Sequence, residues 1–341
     1  MTNKQIPIVA VDEGSSRVKL AFLTEDEKIS CHITPSLAQR GKLTTKELEY
    51  HKGGYTIEGG ETLTITDNTE TPISNQTAEK YQISDVNLVA THYALSEAGF
   101  GGKDVSIITS LPVDMFFNSP ESDTLINTDL IEAKKKNLMR KVVPVRPDVK
   151  AANIVDVKVC PEAVTAFSDL VSIDENGKKA TVYPYESFVV FDFGESTLDV
   201  TLIQGDGTVT NERFSSNHAV KRVIQILNKK IAKQFDIELS HATGAQVLRA
   251  GKFHGQDVSE HIESAVNHVF ADIELKVVDE IPSLRKATRV YSIGGGAHIF
   301  TEKLKTLHKR VVMPKLPEIT LVVSMLSAAG GQPIKGMFLE D

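Results

Sequence analysis

The sequence predicts an α/β protein assembled from two copies of one unit, and three observations carry that reading. Short runs of β-branched and apolar residues alternate with longer segments whose apolar residues recur at intervals of three or four. One strand–turn–strand pattern also occurs twice. Residues 6–11 lead into Asp12-Glu13-Gly14-Ser15-Ser16 and a second strand over 18–23; residues 188–200, FVVFDFGESTLDV, repeat the plan. Setting Asp12 on Asp192 places Gly14 on Gly194, Ser16 on Ser196, Val18 on Leu198, Phe22 on Leu202 and Ile29 on Val209. The turn TEDE at 24–27 falls on QGDG at 204–207. A repeat half a chain apart indicates duplicated domains, because solenoid periods are far shorter. Finally, 341 residues, 41% hydrophobic and 24% charged, suffice for two ordinary cores. The expected division is 1–165 and 166–341, with a small insertion around 34–80 and a helical subdomain around 217–285. The last helix is expected to pack back towards the first domain.

Composition excludes several classes. A net charge of −7 argues against a sequence-wide electrostatic footprint for nucleic acid, although a local basic patch stays open. Cys31 and Cys160 lack metal-ligand spacing and read as buried thiols of a reducing cytoplasm. No apolar run approaches the ~18–20 residues that span a bilayer. The start, MTNKQIPIVAV, enters a strand with no signal-peptide segment before it. The expectation is a soluble, cytoplasmic protein without membrane contact.

Between the two Asp turns the chain reads as follows. Residues 34–80 are polar with β-like pieces at 55–57 and 63–65. Ser84 precedes an amphipathic segment, 85–98, as an N-cap, and Gly99 ends it. Residues 105–111 form a buried strand stopped by Pro112, and 116–128 read as loop. Residues 129–143 are expected as one helix whose Lys134, Lys135, Lys136, Arg140 and Lys141 form a solvated basic face. A strand at 154–159 leads to Cys160-Pro161-Glu162 and a helix through Leu170, with Pro161 in its first turn and Glu162 near its positive end. Residues 172–186 form a polar loop. Beyond the second hairpin, helices are expected over 219–235, 242–249 and 258–281, the last with an apolar stripe that reads as core. A strand at 289–293 runs into Gly294-Gly295-Gly296 and a helix to Lys305; a final helix covers 319–329.

Three glycine-bearing turns therefore stand at strand ends, where open α/β sheets bind ligands. Neither the Walker pattern nor G-x-G-x-x-G occurs there. Two facing Asp hairpins plus a triple-glycine loop suit a nucleoside triphosphate held between two domains. The hairpins would clamp phosphates, Asp12 and Asp192 would hold Mg2+ through water, and the triple glycine would let backbone approach adenosine. Asp12 and Asp192 could instead be turn formers bonded to their own backbone; their occurrence in a repeat favours ligation.

These residues resemble the actin, hexokinase and heat-shock-chaperone ATPase superfamily, and within it the ParM/StbA plasmid-segregation actins. The likeness rests on VDEGSSRVKLAF, VCPEAVTAF, VVFDFGESTLDV and VYSIGGGAHI. The connecting VNLVATHYALSEAG, VSIITSLPVDMFF and IEAKKKNLMRKV select ParM among its relatives. The resemblance implies an actin-like ATPase fold: two duplicated ribonuclease-H-like domains with a nucleotide cleft between them. It implies that Asp12 and Asp192 organise Mg2+. Gly14, Ser15, Ser16, Gly194, Glu195, Ser196 and Thr197 would line the phosphates, and Lys19 would reach the β- and γ-phosphates. Glu162 would polarise the attacking water, Gly294, Gly295 and Gly296 would meet adenosine, and Lys221 or Arg222 would flank the base or ribose. From the residues alone, Glu162 would read as a helix-start acid and Lys19 as a strand residue facing solvent.

Two departures stand out. Glu195 replaces a second glycine and is expected to point away from the phosphates. Ser324 occupies a position where relatives keep glycine. The implied function is an ATPase, with GTP tolerance left open, that polymerises on binding Mg·ATP and hydrolyses it in the filament. Its partners would be itself and a ParR-type adaptor bound to centromere-like plasmid DNA. The alternative is a sugar- or acetate-type kinase of the same superfamily, which needs an acid placed on an acceptor hydroxyl; no loop supplies one. A chaperone-like ATPase is disfavoured because no substrate-binding domain follows residue 341.

Overall fold

A computed structural model describes residues 6–46, 49–67, 73, 78–119, 122, 124–172, 174 and 178–330. The chain divides into two units. Of the described residues, one unit takes those up to Thr165 and 321–330; the other takes Ala166–Thr320.

The first unit opens with an antiparallel meander of β1 (Ile8–Glu13), β2 (Arg17–Leu23) and β3 (Ile29–Pro35). The small strands β4 (Ala38–Arg40), β5 (Gly54–Ile57) and β6 (Thr62–Ile65) follow, then α1 (Ala78–Gln82) and α2 (Asp85–Leu95). Next come β7 (Asp104–Leu111), α3 (Val113–Phe116), α4 (Thr128–Leu138), β8 (Val142–Pro144) and β9 (Asn153–Pro161). The division falls inside α5 (Val164–Leu170). β7 joins β1 in parallel and β9 joins β7 in parallel, so the sheet order is β3-β2-β1-β7-β9. Its core includes Val9, Val11, Leu20 and Ile107 under Leu88 and Val89 of α2. The Ser84 hydroxyl caps α2, accepting the Asn87 amide at 3.1 Å. α2 runs on as a π-turn, Ser96–Phe100, in which Gly99 turns left-handed at φ 85°.

The expected single helix over 129–143 is corrected. α4 stops at Leu138, and Val142–Pro144 instead pairs antiparallel with β5, Ile57 facing Val142. That strand completes a four-stranded sheet, β4-β6-β5-β8, whose other members come from the 34–80 insertion. Pro161 is corrected too: it ends β9 opposite Leu111 rather than starting a helix.

The second unit repeats the plan with β10 (Ser187–Phe193), β11 (Leu198–Gln204) and β12 (Val209–Ser216) as the meander. α6 (Val220–Phe235), α7 (His241–Ala250), the hairpin β13 (Lys252–Phe253) and β14 (Gln256–Asp257), and α8 (Ser259–Glu280) follow. β15 (Arg289–Ile293), α9 (Ala297–Leu307) and β16 (Val311–Val312) complete the unit, and α10 (Thr320–Gly330) begins at its border. Both β15 and β16 add in parallel, giving β12-β11-β10-β15-β16. Counting each sheet's own strands, both units read third, second, first, fourth, fifth. α6 buries Val223, Ile224, Leu227 and Ile231, and α8 buries Val266, Val269, Ile273 and Val277, so the stripes of both helices are core.

The duplication extends to individual atoms. Asp12 pairs across its hairpin with Lys19, and Asp192 with Asp199, as the alignment requires. The aligned turns close alike: the Glu27 amide reaches the Thr24 carbonyl at 2.9 Å and the Gly207 amide the Gln204 carbonyl at 2.8 Å. Glu27 and Gly207 are both left-handed, at φ 59° and 88°.

Candidate functional site

In the first unit, the carboxyl ends of β1, β7 and β9 lie side by side. β1 ends in Asp12 and Glu13, whose side chains leave opposite faces because strand residues alternate. Asp12 receives the Lys19 ammonium at 2.7 Å, so Lys19 turns to the turn's carboxylate rather than to open solvent. Gly14 has a packing reason to be glycine: a Cβ there would sit 2.7 Å from the Arg17 carbonyl oxygen. The Gly14 carbonyl accepts the Ser36 hydroxyl at 2.7 Å and the Tyr81 hydroxyl at 3.0 Å, and the Ser16 carbonyl accepts the Ser36 amide at 3.1 Å. The loop Gly14–Ser15–Ser16 is thereby pinned from behind.

Glu162 leaves the end of β9. Its amide bonds the Leu111 carbonyl at 2.9 Å, and the Ser110 hydroxyl donates to its Oε1 at 3.1 Å. Ala163 then turns left-handed at φ 50° and α5 starts at Val164. Glu162 is therefore placed by strand pairing, not by a helix N-terminus as expected.

Glu13 faces the other way, into a buried polar cluster. Its Oε2 accepts the Thr109 hydroxyl and the Lys134 ammonium, the latter at 3.2 Å. Lys134 has no exposed side-chain surface, so it does not belong to the expected solvated face. Burial pushes the Glu13 carboxyl above its ordinary range, against the opposing pull of Lys134 and Thr109.

In the second unit, β10 carries Asp192 to the turn Gly194–Thr197. A Cβ on Gly194 would lie 2.9 Å from the Thr197 carbonyl, the counterpart of Gly14 against Arg17. The triple glycine following β15 packs on this turn. Gly294 is left-handed at φ 82°, its amide bonds the Pro317 carbonyl at 2.8 Å, and a Cβ would strike Asp192 Oδ1. The Gly296 amide bonds the Phe193 carbonyl at 2.8 Å, and a Cβ there would lie 2.8 Å from Val220. Gly295 alone of the three is exposed, with nothing within 4 Å of a Cβ. Lys221 sits at the start of α6, its amide bonded to the Glu195 carbonyl at 2.8 Å, and Arg222 follows it. The Glu195 carboxylate meets His241 Nε2, the first residue of α7, at 2.8 Å. Asp199, opposite Asp192, is buried and accepts the Ser215 hydroxyl.

The structure thus brings the predicted residues into two groups. Asp12, Gly14, Ser15, Ser16, Lys19 and Glu162 fall in one unit. Asp192, Gly194, Glu195, Ser196, Thr197, Lys221, Arg222 and Gly294–Gly296 fall in the other. Among the described residues no three His, Cys, Asp or Glu side chains gather to hold a metal directly. Mg2+ keeps several waters and takes one or two carboxylates plus phosphate oxygens, so single carboxylates such as Asp12 and Asp192 fit it. Glu13, Thr109, Ser110, Lys134 and His241 were missed by sequence reasoning. For Lys134 the signal was present: it lies on the helical stripe of Leu130, Ile131 and Leu138. The two cysteines are free and half-buried rather than buried, and burial pushes the Cys160 thiol up to about 11.

The sequence matches the family model of the plasmid segregation protein ParM, N-terminal, over residues 8–172. Further along, residues 190–306 match that of the archaeal actin homologue MreB-like, C-terminal. The first half of the chain is thus similar to ParM and the second to the MreB-like archaeal actin homologue. The chain's fold is the actin-like fold. The archaeal actin homologue Ta0583 superposes with a TM-score of 0.71 at 20% identity, covering 96% of this chain and 100% of that one. The same protein in complex with ADP superposes with a TM-score of 0.71 at 19% identity, over 95% and 99%. A 15-stranded ParM filament from Clostridium botulinum gives 0.71 at 15% identity, over 96% and 99%. None of the curated proteins matches this actin-like chain. Among the described residues no helix is long and apolar enough to cross a membrane.

Proposed function

We propose that this actin-like protein binds Mg·ATP through its two Asp turns, polymerises in that state and hydrolyses ATP within the filament. The observation that carries the reading is the matched pair of turns on sheets of identical strand order, one of them packed on an open triple-glycine loop. Gly14–Ser16 and Gly194–Thr197 supply amides and hydroxyls for phosphate oxygens. Lys19, now on Asp12, stands on β2 directly across the hairpin and can exchange that carboxylate for a phosphate. Gly295 leaves backbone accessible to the nucleoside, and Lys221 and Arg222 flank it. Asp12 and Asp192 would hold Mg2+ through water; when bound, the ion neutralises charge on the phosphates. Glu162, fixed by Ser110, orients and polarises the attacking water. The ParM-type N-terminal half and the solved filament of a ParM support assembly with further copies of the chain, head to tail, since such a contact grows without closing. Plasmid segregation through a ParR-type adaptor is the cellular role this implies, and ATP is the assigned nucleotide with GTP as the competitor to test.

Phosphate release measured with Mg·ATP and Mg·GTP tests the enzymatic core. Glu162→Ala is expected to lower turnover about 10²–10⁴-fold, the span of a lost general base, while ADP still binds. Unchanged release by Glu162→Ala would remove that residue from the reaction.

A further inference from the structure

We infer that Lys134 is a positioning residue for Glu162, acting with Glu13 through Ser110; this rests on the hydrolytic reading of the site above. The Lys134 ammonium is fully buried and spends its three protons on three acceptors. These are Ser110 O at 2.6 Å, Gln82 Oε1 at 2.6 Å and Glu13 Oε2 at 3.2 Å. Each acceptor belongs to a different element. Glu13 ends β1 next to Asp12, Ser110 stands near the end of β7, and Gln82 ends α1. Ser110 in turn donates its hydroxyl to Glu162 Oε1 at 3.1 Å. One ammonium therefore ties the strand that carries the phosphate turn to the residue that aims Glu162.

Stability does not account for this arrangement. Burying an ion pair costs desolvation that the mutual attraction rarely exceeds, and an apolar pair of the same volume generally serves a core as well. The neighbouring layer is such a core, with Leu130 and Ile131 on the same face of α4. What an apolar pair would not supply is a fixed position for the Ser110 carbonyl, and with it the Ser110 hydroxyl. Supporting groups of this kind matter because an error of ~1 Å in a reacting group can cost ~10²-fold in rate.

The test compares Ser110→Ala, Ser110→Thr, Lys134→Met and the double variant Glu13→Gln/Lys134→Met in full-length protein. The double variant guards against misfolding, because it leaves no unpaired buried charge. Turnover of Mg·ATP, ADP affinity by titration and thermal midpoint are measured for each. Ser110→Ala and the double variant are expected to lose about tenfold or more in turnover, with ADP affinity within about twofold, and Ser110→Thr to recover most of the rate. A turnover within twofold of the parent in both overturns the proposal. So does a loss that only tracks the thermal midpoint or ADP affinity, which a merely structural pair would give. If the parent itself releases no phosphate, the hydrolytic reading fails and the positioning role falls with it; if only the variants match the parent, the positioning role alone fails.

Discussion

At Gly294 the backbone stands at φ 82° and a Cβ would clash with Asp192 Oδ1, whereas a Cβ on Gly295 next to it would meet nothing within 4 Å. Adjacent glycines thus answer to different demands. Gly294→Ala should cost about 1–3 kcal/mol from the left-handed backbone alone and lower the thermal midpoint by a few degrees. Gly295→Ala should leave stability within about 0.5 kcal/mol yet weaken nucleotide binding, as isothermal titration would show. His92 makes a further residue-scale case. It is almost wholly buried in α2, and burial depresses its pKa to about 4. The unfolded chain, with an ordinary imidazole near 6.5, then binds the proton more readily. The stability this group withholds from the acid side is intact above about pH 6.5 and is lost as pH falls towards 4, by roughly 3 kcal/mol in all. A urea series from pH 7 to 4 should show that slope, and His92→Phe should flatten it. At this scale the sequence was most readable where a residue repeats: Asp12 with Asp192 and Gly14 with Gly194. It was least readable at Lys134, where three consecutive lysines resemble a solvated face and only the helical phase of Leu130, Ile131 and Leu138 tells them apart.

Elements with strong local signals came out close to their expected limits. The strand Arg289–Ile293 ends where the glycines begin, α7 is capped by Ser240 and closed by left-handed Gly251, and α6 and α8 follow their apolar stripes. The misread segments depend on distant partners. Val142–Pro144 is a strand because β5, some eighty residues earlier in sequence, offers it an edge, and nothing between Leu138 and Val142 announces a stop. Pro161 belongs to a strand because β7 pairs with β9 to its last residue. Glu195 is held by α7, a contact no local pattern contains. α10 carries its own test. Ser324 is buried within it, and among the described residues its hydroxyl has no hydrogen-bond partner. Ser324→Ala removes an unpaired polar group and improves helix propensity. Equilibrium urea unfolding should therefore show a gain of about 1 kcal/mol; a loss would mean the hydroxyl is used.

On the scale of the molecule, the duplicated sheet accounts for most of what could be read in advance. Each unit's meander and two parallel strands bring one Asp turn to the carboxyl end of a sheet, so two matched turns follow from one plan. The units differ in what is added to that plan: a four-stranded sheet in one, and the helices α6, α7 and α8 in the other. Surfaces that would join copies into a polymer leave no comparable mark in a single sequence, because exposed residues carry no periodic constraint. Assembly is accordingly the claim to measure. Purified protein should be mixed with Mg·ATP, Mg·ADP or no nucleotide over a range of concentrations, followed by light scattering, and then sedimented at high speed. The account predicts pelleted polymer above a threshold concentration with Mg·ATP, and scattering that decays as phosphate is released. Protein that stays in the supernatant with Mg·ATP at every accessible concentration would contradict it.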